Sequence, residues 1–372
     1  MPKLSCYTGY KLRELIRIST AFSHTRHLKV FSNICRFALE RKGEILVKVD
    51  SSKIADLIAK TFDKHYEESM IEDYMLTAEA LNLVTHVSKT AYGLTDYGFC
   101  IATVLNDDDI KSDLLTNFER YIYLQLVIRK DYDYLLALLR SLSKSREDSQ
   151  IIGSIFRKSR CPSLEKLRDS FQTEIAEIIS GLNLGLEGKE VALKMEKMKK
   201  RTLNHRLSSL IFWLTEIIST SSLFKPRPDL LGYYDTVYAK TFSELKKSLE
   251  ELDLDHTIDS IVDEKFPELF SQIFGINAHS PKRECGDTIA SQIINMLNSE
   301  WDKFAKLQPY QFGQRIPALA FLVFAQFRLL HQNMLTLPLS NLLNIFSDKI
   351  ESFGYVLNWR YDFHSGYIEK IT

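Results

Sequence analysis

Glycine and proline are scarce in this chain, 14 and 9 of 372 residues. These residues most often break regular structure, so their scarcity predicts long helices joined by short loops. An excess of either charge is missing too: lysine plus arginine and aspartate plus glutamate are 48 each. A non-specific nucleic-acid binder draws affinity from phosphate neutralisation, so a balanced chain must concentrate its cations locally to bind one. The five cysteines, Cys6, Cys35, Cys100, Cys161 and Cys285, include no close pair. That pattern predicts reduced, buried thiols in the cytoplasm rather than a disulfide framework. Long apolar runs are also lacking. The most hydrophobic stretch, 316–330, is interrupted by Gln326 and Arg328; it is short for a membrane span and is expected to be a buried core helix. Residues Met1 to Cys6 hold no apolar core with a cleavage site, so no secretory leader is expected and the protein is read as soluble.

What is present is an ordinary globular composition, 45% apolar and 26% charged. Most segments carry apolar residues at three- and four-residue spacing, as in Leu115, Phe118, Tyr121, Leu124 and Ile128. The expected fold class is mainly α with small β-hairpins. Loop-like joints near 106–109, 181–188, 225–228 and 276–286 suggest three domains: 1–110, 111–275 and 276–372.

The first domain is the most readable. A helix from about Arg26 to Arg41 should stop at Gly43, since helices commonly end on glycine. Ile45 to Val49 alternates like a strand, and Asp50-Ser51-Ser52 supplies capping side chains for a helix from Lys53 to Phe62. A further helix spans roughly Glu67 to Leu83. Strands follow at Val84–Val87 and Ala91–Leu94, and Thr95 caps a last helix. Helix, strand, helix, helix, hairpin, helix is the winged helix-turn-helix order. The run Tyr92-Gly93-Leu94-Thr95-Asp96-Tyr97-Gly98 resembles the second wing strand and following helix start of many prokaryotic winged-helix regulators. The resemblance covers about a quarter of the chain and implies a module that usually binds DNA but often serves protein contacts.

Two other regions invite a similar reading. Lys199 to Arg206, running into Phe212, Trp213 and Ile217, looks like a basic recognition helix docking on its own core, although Lys225-Pro226-Arg227-Pro228 interrupts the strands that should follow. At the C-terminus, Ser340 is placed to cap a helix from Asn341 to Phe353, stopped by Gly354. Tyr355 to Tyr361 and Tyr367 to Ile371 then read as a hairpin, so the domain is a helix plus hairpin and a candidate second winged helix.

Charge separates the candidate nucleic-acid surfaces. A helix entering the major groove presents Arg, Lys, Asn or Gln to base edges and phosphates. The first domain's helix instead carries Glu67, Glu68, Glu72, Asp73 and Glu79 against Lys64, with Lys89 at the wing tip; that favours protein contact. The stretch Lys189 to Arg206 holds seven basic and two acidic residues. On a helix Lys194 and Lys197 share a face, as do Lys197, Lys200 and Arg201. With Lys199, His205, Arg206 and Lys89 they form the candidate phosphate contacts, against the alternative of a solvated face balanced by Glu190 and Glu196. An acidic stretch from Glu244 to Glu268, nine acidic residues to three basic, reads as solvated helix surface or as a cover for the basic one.

Enzymatic chemistry finds little footing. The nine histidines show no metal-ligand spacing, so no metal or cofactor is expected. His24 and His27 lie one turn apart without a nearby carboxylate. His279, Glu284, Cys285 and Asp287 share one loop, but sequence neighbours rarely form a triad, which needs groups from different elements. Glu187-Gly188-Lys189 matches the letters of a nuclease motif without a strand before it. The tyrosines at 74, 92, 97, 121, 123, 132 and 134 are expected in the core rather than as base-stacking platforms. The leading expectation is therefore a non-enzymatic DNA-associated protein, a regulator or an accessory subunit. The alternatives are a scaffold in which winged helices mediate assembly with a protein partner or a second copy, and a nuclease or hydrolase gathering distant carboxylates.

Overall fold

The computed structural model describes residues 27–41, 43–63, 66–144, 162–181, 200–219, 231–251, 258–281, 286–306, 315–360 and 365–371. They are mainly helical, with two small antiparallel sheets. The chain divides into two compact units, one built on Tyr123–Val262 and the other on Lys29–Ile122 together with Asp263–Thr372.

The second unit holds two modules from opposite ends of the chain. The N-terminal module runs α1 (Lys29–Glu40), β1 (Glu44–Leu46), α2 (Val47–Phe62), α3 (Ser69–Ala80), β2 (Val84–Ser88), β3 (Ala91–Leu94), α4 (Asp96–Val104) and the short α5 (Asp107–Lys111). Its sheet order is β1-β3-β2, both pairs antiparallel. α1 forms because Val30, Phe31, Ile34, Cys35, Ala38 and Leu39 recur at helical spacing, and all are buried. It ends at Glu40, and the turn that follows passes through Gly43, whose φ of 84° suits glycine.

The helix after β1 starts earlier than the sequence suggests. Asp50 does not cap a helix from Lys53; it lies in the first turn of α2, where its carboxylate accepts from the Leu46 N–H at 3.0 Å and from Arg41 at 2.9 Å. The strand is thereby cut to three residues. Thr95 does cap α4, its hydroxyl accepting from the Gly98 N–H at 3.2 Å and donating to the Asn82 carbonyl at 2.6 Å. α4 lies so close to the end of α3 that a Cβ on Gly98 would sit 2.0 Å from the Leu83 carbonyl oxygen.

α6 (Asn117–Lys144) begins in this unit and bends at Asp131, whose φ of −128° is not helical. In the other unit it joins α7 (Pro162–Gly181), α8 (Lys200–Ile218), α9 (Leu231–Glu250) and the start of α10 (Ile258–Ile273). Leu135, Leu138, Phe171, Ile211, Trp213, Leu214 and Leu249 form its core. The Tyr132 hydroxyl donates to the Leu249 carbonyl at 2.7 Å, and the Leu28 N–H to Glu216 at 2.7 Å. The aromatic-aliphatic end of the basic helix is thus one buried stripe of α8; the strands looked for after it fall outside the described residues.

The C-terminal module runs α11 (Gly286–Lys306), β4 (Arg315–Pro317), α12 (Ala318–Asn333), α13 (Leu339–Lys349), β5 (Tyr355–Arg360) and β6 (Ser365–Lys370). Its sheet order, β4-β6-β5, repeats that of the N-terminal module, and so does its order of helices and strands. The sequence reading misses β4, which is only three residues long, includes Pro317 and pairs with β6. It also misplaces a cap. α13 starts at Leu339 behind Pro338, so Ser340 lies inside the first turn, and the helix gives way at Ile350 to a 3₁₀ turn before Gly354. The 316–330 stretch is the buried helix α12, and no helix among the described residues is long and apolar enough to cross a membrane.

α4 and α12 join the modules. The Cys100 thiol donates to the Ala320 carbonyl at 3.0 Å, and Phe99, Phe304 and Phe321 meet around it. Tyr121 at the start of α6 donates to Gln326 Oε1 at 2.7 Å, with its ring between Phe266, Phe270 and Phe327.

Candidate functional site

α3 and α13 hold the same place in their modules, the helix just before the β-hairpin, but their outer faces differ in chemistry. On α3 the buried side is Ile71, Tyr74, Met75 and Ala78. One turn apart on the other side stand Glu68, Glu72 and Leu76, all exposed, with Glu67 beside them and Asp73 half-exposed. Glu79 is tied to strand β2: it accepts from the His86 backbone N–H at 3.2 Å and lies 2.6 Å from His86 Nδ1. The His86 ring in turn rests 4.0 Å from the Tyr92 ring. Lys89 stands exposed at the turn between β2 and β3, and Val87 is 48% exposed beside it. Apart from Lys89, a duplex approaching this face would meet carboxylates and apolar groups, which neither neutralise phosphates nor donate to base edges.

α13 buries Leu339, Leu342, Leu343 and Phe346 and exposes Ser340, Asn341, Asn344, Ser347 and Asp348. Asn341 and Asn344 are three residues apart and so share a face. Amide side chains there match the donor and acceptor pattern of a base edge, adenine above all. Lys349 is held at 2.9 Å by Asp287, and the bond raises the lysine's pKa above its ordinary value. α13 starts behind Pro338 without a side-chain cap hydrogen bond. Sequence reasoning placed this helix but passed over its asparagines; their spacing just before a hairpin was the available signal.

Of the phosphate contacts expected from sequence, Lys89 lies exposed at the β2–β3 turn. Lys194, Lys197 and Lys199 lie outside the described residues, while Lys200, Arg201, His205 and Arg206 start α8, with side chains also outside that description.

Several other groups singled out in the sequence are packed or held within the described residues. Cys35 and Cys100 are buried thiols, and burial pushes both well above the ordinary thiol pKa, which leaves them unreactive. The His27 ring packs edge-on against Phe212. His279 is held through its backbone, donating to the Met334 carbonyl at 2.9 Å and accepting from the Thr336 N–H at 3.0 Å; Glu284 and Cys285 of its loop lie outside the described residues. Among the described residues no three His, Cys, Asp or Glu side chains gather as a metal site. Tyr74, Tyr92, Tyr97, Tyr121, Tyr123 and Tyr132 are core residues, and burial lifts Tyr74 and Tyr92 to about 12. No protein-family model, no curated protein and no solved structure matches this chain.

Proposed function

We propose that both modules are winged helix-turn-helix domains and that the protein is a non-enzymatic nucleic-acid-associated regulator or accessory subunit. In this reading α13 faces duplex DNA and α3 faces a protein. The observation that carries it is the contrast between two equivalent helices, one lined by Glu68 and Glu72, the other by Asn341 and Asn344. The basic start of α8, with Lys194, Lys197 and Lys199 before it, adds phosphate contacts that increase affinity without reading sequence. The buried thiols Cys35 and Cys100 suit a reducing, cytoplasmic setting.

Fluorescence anisotropy of the full chain on labelled duplex at two salt concentrations tests the reading. Asn341→Ala with Asn344→Ala should lower affinity about tenfold or more on the preferred sequence and little on others. Lys199/Lys200/Arg201→Ala should weaken binding evenly across sequences and flatten the salt dependence. No binding of the wild type at low salt would overturn the DNA reading. The acidic face of α3 favours a second one, a scaffold whose modules assemble with a protein partner, and a stable nuclease-resistant complex would then be expected.

A further inference from the structure

Where the two modules meet, within their shared unit, there is a polar cleft of about 530 Å³. This falls in the size range of small-molecule sites. The N-terminal module contributes Leu94, Thr95 and Asp96; the C-terminal module contributes Arg360, Ser365 and Tyr367. Local folding explains the placement. Thr95 caps α4, which sets Asp96 at the helix's first position, and β5 ends at Arg360 opposite Ser365 on β6.

Two opposite charges therefore line one cleft, yet among the described residues neither side chain makes an ion pair or hydrogen bond, with the other or with a third group. Burial pushes the Asp96 carboxyl up to about 6, as expected for a carboxylate withdrawn from water without a cation beside it. Leaving such a group unpaired is unfavourable, and a ligand that supplies the missing cation recovers the cost. Arg360 is exposed, and its planar fork matches a carboxylate or phosphate. Tyr367 gives the cleft an aromatic wall and is itself held by Arg315, whose guanidinium lies 4.4 Å from the ring centroid.

We propose that this cleft binds a small zwitterion, its cationic nitrogen held by Asp96 and its anionic group by Arg360. An α-amino acid and an aminoalkyl phosphate share this chemistry and both fit the volume. Such a ligand touches the start of α4 and the β5–β6 strands at once, and so ties the two modules to each other. This inference stands apart from the nucleic-acid reading.

The test is thermal unfolding of the full chain with each of the twenty α-amino acids and with phosphoethanolamine, followed by calorimetric titration of any that shift it. At least one zwitterion in excess should raise Tm by about 2–4 °C. Its N-acetyl amide, which lacks both charges, should have no effect. Asp96→Asn and Arg360→Gln should each weaken binding about tenfold or more; Arg360 is exposed, so the second variant folds whatever the first does. An amino acid alone or phosphoethanolamine alone identifies which anionic group Arg360 accepts. The proposal is overturned if no zwitterion binds, or if binding survives unchanged in Arg360→Gln.

Discussion

Lys29 and Glu119 form an ion pair in which neither side chain reaches solvent, with Nζ 2.8 Å from Oε1 and 2.9 Å from Oε2. The same carboxylate accepts from the Ser32 hydroxyl at 2.6 Å and from the Thr116 N–H at 2.7 Å. It thus caps α6 and anchors α1 to it. A buried pair repays its desolvation only when its remaining hydrogen bonds are made, and here three donor groups make four hydrogen bonds to one carboxylate. Glu119→Gln should destabilise this unit by about 3–5 kcal/mol, because it strands the ammonium. Lys29→Met combined with Glu119→Gln should cost clearly less. Urea unfolding of both variants measures the difference, and equal losses would show that the charge pair is not the cause.

Asp131 makes stability depend on pH. Burial, with Asp133 adding to it, lifts its carboxyl to about 7 although Lys130 pulls the other way. A carboxyl whose pKa is raised by folding binds its proton more tightly in the folded state. Its neutral form therefore imposes no charge penalty in acid, and stability falls as pH climbs from the ordinary aspartate range through about 7. Asp131→Asn should remove that decline and stabilise the protein at pH 8, by at most about 4 kcal/mol. Thermal unfolding of wild type and variant from pH 5 to pH 8 checks this, and parallel curves would refute it.

Gly98→Ala should be costly despite its small size. The new methyl would have to displace the Leu83 backbone or shift α4 away from it, and overpacking of this kind costs about 1–3 kcal/mol. The matching change at Gly286, where a Cβ meets nothing within 4 Å, should cost about 1 kcal/mol less than that or even stabilise its helix. A comparison of the two melting temperatures decides the point.

The charge on α3 can be reversed without touching the core, since Glu67, Glu68 and Glu72 are exposed. A triple Glu→Lys variant should fold with stability within about 1 kcal/mol of wild type. It should also bind duplex more tightly and with a steeper salt dependence, because added cations release counterions from DNA. Unchanged affinity and slope would mean that a duplex cannot reach this face at all.

Periodicity and turn chemistry were enough to read α1, α3, the β2–β3 hairpin and the Thr95 cap, because each depends on residues within one or two turns of one another. The same locality made the mainly helical class, the buried 316–330 helix and the acidic outer face of α3 legible from sequence. Other features belong to tertiary structure. β4 exists only because β6, some fifty residues later, offers it a partner, and three residues ending in proline carry no strand signal alone. Asp50 reads as a cap by composition, but it serves the backbone and a side chain before it in sequence. The cleft between Asp96 and Arg360 joins positions 264 apart in numbering. Composition and local pattern determined the elements and the charges they carry; only packing decided which of those charges share a cleft, since that depends on contacts between segments far apart in the chain.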